Sequence, residues 1–200
     1  MNLAVSISVY GGGPGSGCTG PNCGRPRDEV PQSISVRMKK AEDDFKNEVK
    51  AQGYDLSKVR IKYNPPISKG NFKMQSIADT LRSTGIIEFH PDVYVNKASE
   101  MSLKGIVAHE LMHVKFNALI SSGWERTEKQ LETLLRKDGV SGYSQAVWLQ
   151  YMEGKGKLST AIHETLAEMA RIKAETGKLP GATIWKDLYN KVTSSYGKAN

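Results

Sequence analysis

Two histidines four residues apart, His109 and His113, lie in a proline-free stretch from 102 to 120, with Glu110 directly after the first. On a helix, residues four apart project from one face, one above the other. Both imidazoles can then reach a single tetrahedral Zn²⁺, and Glu110 can reach a water beside the metal and take its proton. The chain has four histidines in 200 residues, so chance placement of this pattern is about 0.5 % and the motif carries weight. A catalytic zinc needs a third protein ligand. The fold must therefore pack another element against the face that holds the histidines.

The flanking residues are consistent with such a helix. Ser102 can cap its start. Leu103, Ile106, Val107, Leu111, Val114 and Ala118 recur at three- and four-residue steps and predict an apolar face. The histidines lie beside that stripe, so the metal is expected at the edge of a core. Upstream, residues 85–91 read as a short strand ended by Pro91. Downstream, residues 161–171 read as a second helix with Ile162, Leu166, Met169 and Ala170 on its apolar stripe. Glu164 and Glu168 share one face of that helix. One can bind the metal while the other accepts a hydrogen bond from a ligand histidine, fixing its tautomer and orientation. His163 is the rival ligand, about 100° round the helix from Glu164.

The order of these features resembles the gluzincin clan of zinc metallopeptidases, and within it the family of the anthrax toxin lethal factor catalytic domain. The matching pieces are His109 to His113, the segment 139–144, Glu164 to Glu168, then Pro180 and a closing helix from Thr183. The similarity spans residues 70–196. It implies a zincin-like metallopeptidase domain with Zn²⁺ on His109, His113 and Glu164, Glu110 as general base, and Glu168 as the acid that orients a ligand. In that family a strand precedes the motif helix, and its open edge can pair with an extended peptide substrate. A tyrosine in a Ser-x-Tyr segment faces the zinc and stabilises the oxyanion; Tyr143 takes that place by resemblance. Twenty positions separate Tyr143 from Glu164, more than is usual in the family, and residues 153–157 look like a loop that absorbs the excess. Tyr151 is the alternative.

Composition narrows the partners. With 38 % hydrophobic and 24 % charged residues the chain reads as a soluble globular protein. The net charge of +7 favours anionic partners, but Lys and Arg are dispersed and no nucleic-acid-binding motif is present, so no specific nucleic acid is expected. No apolar run approaches the roughly 20 residues that span a membrane. The N-terminus lacks a basic, long-apolar signal peptide, which points to a cytoplasmic location in a bacterial host or to a virion.

Residues 1–33 are expected to be a flexible arm, Gly/Pro-rich from 11 to 33, and residues 34–200 the catalytic domain. The arm nearly spells a phosphate-binding loop, from Gly12 to Gly17. However, Cys18 stands where the lysine is needed, and Gly20-Pro21 would abort the following helix. Nucleotide binding is rejected. Such Gly-Gly-Pro-Gly-Ser-Gly arms resemble the N-termini of bacteriophage head-associated proteins, which makes virion proteins candidate partners. Cys18 and Cys23 could form a small disulfide, share a metal with another chain, or remain reduced thiols, the default in an intracellular protein.

The remaining elements are a charged helix over 35–52 docking through Val36, Ala41, Phe45 and Val49, strands over 58–63 and 72–81, a turn at 83–85, and helices over 127–135 and 185–192. Trp124, Trp148 and Trp185 are expected in the core. The sum is an α+β domain, a small twisted sheet beside helices that carry the metal. The expected function is zinc-dependent cleavage of a protein or peptide substrate. The alternatives are a non-catalytic zincin-fold module for binding or virion assembly, and a zinc hydrolase acting on a non-peptide amide.

Overall fold

The computed structural model describes residues 34–63, 76–97, 101–124, 153–154 and 157–196. Helix α1 (Ile34–Ala51) buries Ala41, Phe45 and Val49, with Met38 packing on the same side. These positions follow one another at three- and four-residue steps, which is why they share a face. Val36 falls off that stripe and is half exposed; Met38 takes the docking role assigned to it. The opposite face is tied by pairs such as Lys39–Asp43, Lys40–Asp44 and Lys46–Glu42.

Strands β1 (Val59–Ile61), β2 (Ala78–Leu81) and β3 (Ile86–Phe89) form one sheet in the order β1-β3-β2. β1 runs parallel to β3, pairing Val59 with Ile87; β2 runs antiparallel, pairing Ala78 with Phe89. The strand before the motif helix is therefore the central one, paired on both sides, and cannot itself offer an open edge. Among the described residues, β2 next to the motif helix has a strand partner on one side only. The β2–β3 turn closes through Gly85 at φ +70°, a conformation that favours glycine. The amides of Thr84 and Gly85 both donate to the Leu81 carbonyl, and the Tyr54 hydroxyl donates to the Gly85 carbonyl. Phe45 stacks on Phe89 with ring centroids 4.1 Å apart, tying α1 to the sheet.

Pro91, expected only to end a strand, also begins α2 (Pro91–Lys97). Proline is tolerated at that point because the first helical amide has no intrahelical partner. α3 (Leu103–Leu119) starts where the capping residue predicted: Ser102 Oγ accepts from the Gly105 amide at 3.0 Å. α4 (Leu158–Thr176) ends on Gly177 at φ +75°, whose amide donates to Lys173. α5 (Thr183–Tyr196) buries Trp185, Leu188, Tyr189 and Val192, so Trp185 is in the core as expected.

α3 is packed on two sides. Ile106, Val107, Leu111 and Val114 join α1 and the sheet in one cluster, while Met112, Phe116 and Leu119 join α4 and α5 in another. One apolar stripe was expected; this helix has two, and Ala118 is exposed. The fold is α+β, mostly helical with a small mixed sheet. The segments 1–33 and 127–135, with Cys18, Cys23, Tyr143, Trp148 and Tyr151, lie outside the described residues, as does the side chain of Trp124. Among the described residues, no helix is long and apolar enough to cross a membrane.

Candidate metal centre

The geometry of α3 decides where the histidines go. At about 100° per residue, His109 and His113 fall between the two apolar stripes. They therefore occupy the seam between two clusters rather than the edge of one, and both are buried. α4 closes that seam in antiparallel fashion. Its end meets the start of α3, where Glu175 Oε1 accepts from Ser102 Oγ at 3.0 Å, and its Glu164 meets His109 and His113.

Three side-chain atoms converge there. His109 Nε2 and His113 Nε2 are 3.3 Å apart, and Glu164 Oε2 lies 3.6 and 3.7 Å from them. A tetrahedral zinc with bonds of about 2.1 Å separates its ligand atoms by about 3.4 Å. The triangle matches that spacing, and His109, His113 and Glu164 together form a buried group able to hold a metal ion. The outward Nδ1 atoms of both histidines have no hydrogen-bond partner among the described residues. With the proton on Nδ1, each Nε2 keeps a lone pair for a metal. Two imidazoles and a carboxylate suit zinc.

Electrostatics fit the same arrangement. Burial pushes His109 down, but the Glu164 hydrogen bond and the charges of Glu110, Glu164 and Glu168 outweigh it and raise its pKa. Burial holds His113 well below the ordinary histidine value. Burial pushes Glu164 up, yet the His109 hydrogen bond and the charges of His113, His109 and Arg82 keep it an anion with a lowered pKa. Glu110, on the sheet side of α3, is raised by burial, partly countered by the charge of His109 and by the Thr80 hydroxyl, which donates to Glu110 Oε2 at 2.6 Å.

Glu168 is close without bonding. Its Oε2 is 4.0 Å from His109 Nδ1, and both its oxygens accept from Arg171. Arg171 also reaches Glu175 at 2.5 Å, so one stripe, Glu164, Glu168, Arg171 and Glu175, runs the length of the helix pair. Gly105 leaves room for the Glu175 carboxylate, which a Cβ at that position would crowd.

His163 is not part of the converging group. Its ring packs edge-on against Phe116, with centroids 4.5 Å apart, and 5.7 Å from the His113 ring. Burial, with a contribution from Arg82, lowers its pKa from 6.5 to about 3. Because the folded value lies below the unfolded one, the unfolded chain takes up the proton first as pH falls. The stability this group contributes is present above pH 6.5 and is lost toward pH 3. In zinc-free protein, the part of the urea-unfolding free energy due to His163 should fall by about 2 kcal/mol between pH 6.5 and 5. His163→Leu should remove that part; an identical pH slope in wild type and variant would show that His163 is not a buried neutral group.

Two participants carried no legible signal, and a third carried one in its spacing alone. Arg82 sits in the β2–β3 turn and places Nη2 3.3 Å from Glu164 Oε1, leaving Oε2 to face the histidines. Thr80 belongs to a strand 30 residues before Glu110. Arg171 was in view only as the end of a helix, although its spacing from Glu164 and Glu168 continues their stripe. No protein-family model, curated protein or solved structure matches the chain.

Proposed function

We propose that this protein is a zinc-dependent metallopeptidase of the gluzincin type. One observation carries the reading: a buried His109–His113–Glu164 group at zinc-ligand spacing adjoins a buried carboxylate, Glu110, that is not part of the triangle. Zinc, when bound there, supplies a Lewis acid that polarises a carbonyl and makes water more acidic. Glu110 removes a proton from the attacking water and later delivers it to the leaving amine. Its raised pKa suits a group that must hold that proton between the two steps. Thr80 fixes the carboxylate through one oxygen and leaves the other to work. Arg82 holds the outer oxygen of Glu164 in a similar way. Tyr143, by resemblance, or Tyr151 would donate to the oxyanion.

The substrate is a protein or peptide in extended form. Among the described residues β2 has a strand partner on one side only, and Thr80 on it contacts Glu110. A peptide added to that edge by main-chain hydrogen bonds would lie alongside the base. The runner-up, a binding or virion-assembly module anchored by residues 1–33, leaves a buried Glu110 without use, and burying a carboxylate has a cost.

Zinc-loaded protein is expected to generate new peptide termini in a denatured protein mixture, detected by mass spectrometry. A chelator should stop cleavage and added zinc restore it. Stoichiometric zinc with no new termini would leave the binding module as the reading to pursue.

A further inference from the structure

A cavity of about 310 Å³ adjoins the metal centre, between the β2–β3 turn, the C-terminal half of α3 and the end of α5. Lys58, Arg82, Asn117, Ser122 and Ser195 supply its polar wall and Val114 part of its apolar wall; among the described residues no Asp or Glu lines it. Arg82 belongs to both places, since its guanidinium contacts Glu164. Asn117 stands one turn beyond His113, and its Nδ2 donates to the Arg82 carbonyl at 2.7 Å. On its other side the turn is held by Tyr54 through the Gly85 carbonyl. The turn that carries Arg82 is thus pinned in place before any ligand arrives, which lowers the entropy cost of binding there.

We propose that this cavity is an anion-accepting subsite that takes a carboxylate of the substrate, from an Asp or Glu side chain or from a chain terminus. Its place in catalysis rests on the peptidase reading; its affinity for carboxylates does not. Arg82 is already engaged with Glu164, so Lys58 is the charge that decides occupancy. An exposed lysine beside hydroxyl and amide donors favours a carboxylate over a neutral group of the same shape. The net charge of +7 gives the same preference at long range.

Titration of ¹⁵N-labelled, zinc-free protein tests the site without requiring metal or turnover. The probes are N-acetylglutamate α-amide, which carries only a side-chain carboxylate, N-acetylalanine, which carries only a terminal one, and N-acetylglutamine amide, which carries none. Saturable shifts confined to residues 58, 82–85, 117 and 195–196 are expected with one or both acids, and the stronger acid identifies the source. Lys58→Gln should weaken binding about two- to fivefold, the scale of an exposed charge pair, and Lys58→Glu should weaken it further. Lys58 is exposed and outside the metal group, so both variants should fold. Shifts scattered elsewhere, equal binding of the neutral probe, or indifference to both substitutions overturn the subsite. Zinc-loaded protein that binds the acids at this cavity yet cleaves no peptide would uphold the subsite and sink the peptidase reading.

Discussion

Glu110→Gln is expected to lower kcat/KM by about 10³-fold or more with zinc content unchanged, a loss within the range for a general base. The substitution keeps shape and size. The glutamine carbonyl can still accept from Thr80, so the contact that fixes the side chain at 2.6 Å survives. What disappears is the basic oxygen. Glu110 is buried and its pKa raised, mainly by burial, so the neutral amide also relieves a desolvation cost. The zinc-free variant should be at least as stable as wild type. Steady-state cleavage measured beside elemental zinc analysis separates chemistry from metal loss. Full-metal variant retaining activity within tenfold of wild type would remove Glu110 from the role of base.

Glu164→Ala is expected to weaken zinc binding by about 100- to 1,000-fold. Four-ligand structural sites bind zinc with about 10–16 kcal/mol, or about 2.5–4 kcal/mol per ligand, and roughly 1.4 kcal/mol is a factor of ten. The loss is not confined to one bond. Glu164 is the anion between His109 and His113 and the partner of Arg82. Removing it leaves a half-exposed guanidinium near the metal with no ion-pair partner among the described residues. Competition with a chromophoric chelator gives the dissociation constant. Thermal unfolding gives a second readout: zinc at about 100 times its dissociation constant should stabilise wild type by about 2.7 kcal/mol, several degrees in Tm, and the variant hardly at all. Zinc held with wild-type affinity by Glu164→Ala would transfer the third-ligand role to another residue.

How far the candidate site could be read beforehand depended on sequence distance. His109, Glu110 and His113 lie within one turn of one helix, so helical geometry alone relates them. Glu164 is 51 residues beyond His113 but could be picked out because Glu168 repeats it one turn later. The Ser102 cap and the Gly85 turn were likewise local, since a cap or a turn is made by residues a few positions apart. Val36 and Met38 show the limit of pattern reading, because two apolar residues two positions apart cannot both lie on one helix face, and only packing chooses between them.

By itself, the sequence determined the α+β class, the motif helix with its cap, the strand before it and the residues fit to hold a metal, because each follows from residues close together in the chain. Only the tertiary structure decided that β3 is central with β1 and β2 flanking it, that α3 is packed on two sides with its histidines in the seam, and that Thr80 and Arg82 hold Glu110 and Glu164. Those pairings join residues 30 to 82 positions apart, where no helical or strand period reaches. They are set by which apolar faces bury together, since a helix with two apolar stripes can be satisfied only by partners on both sides.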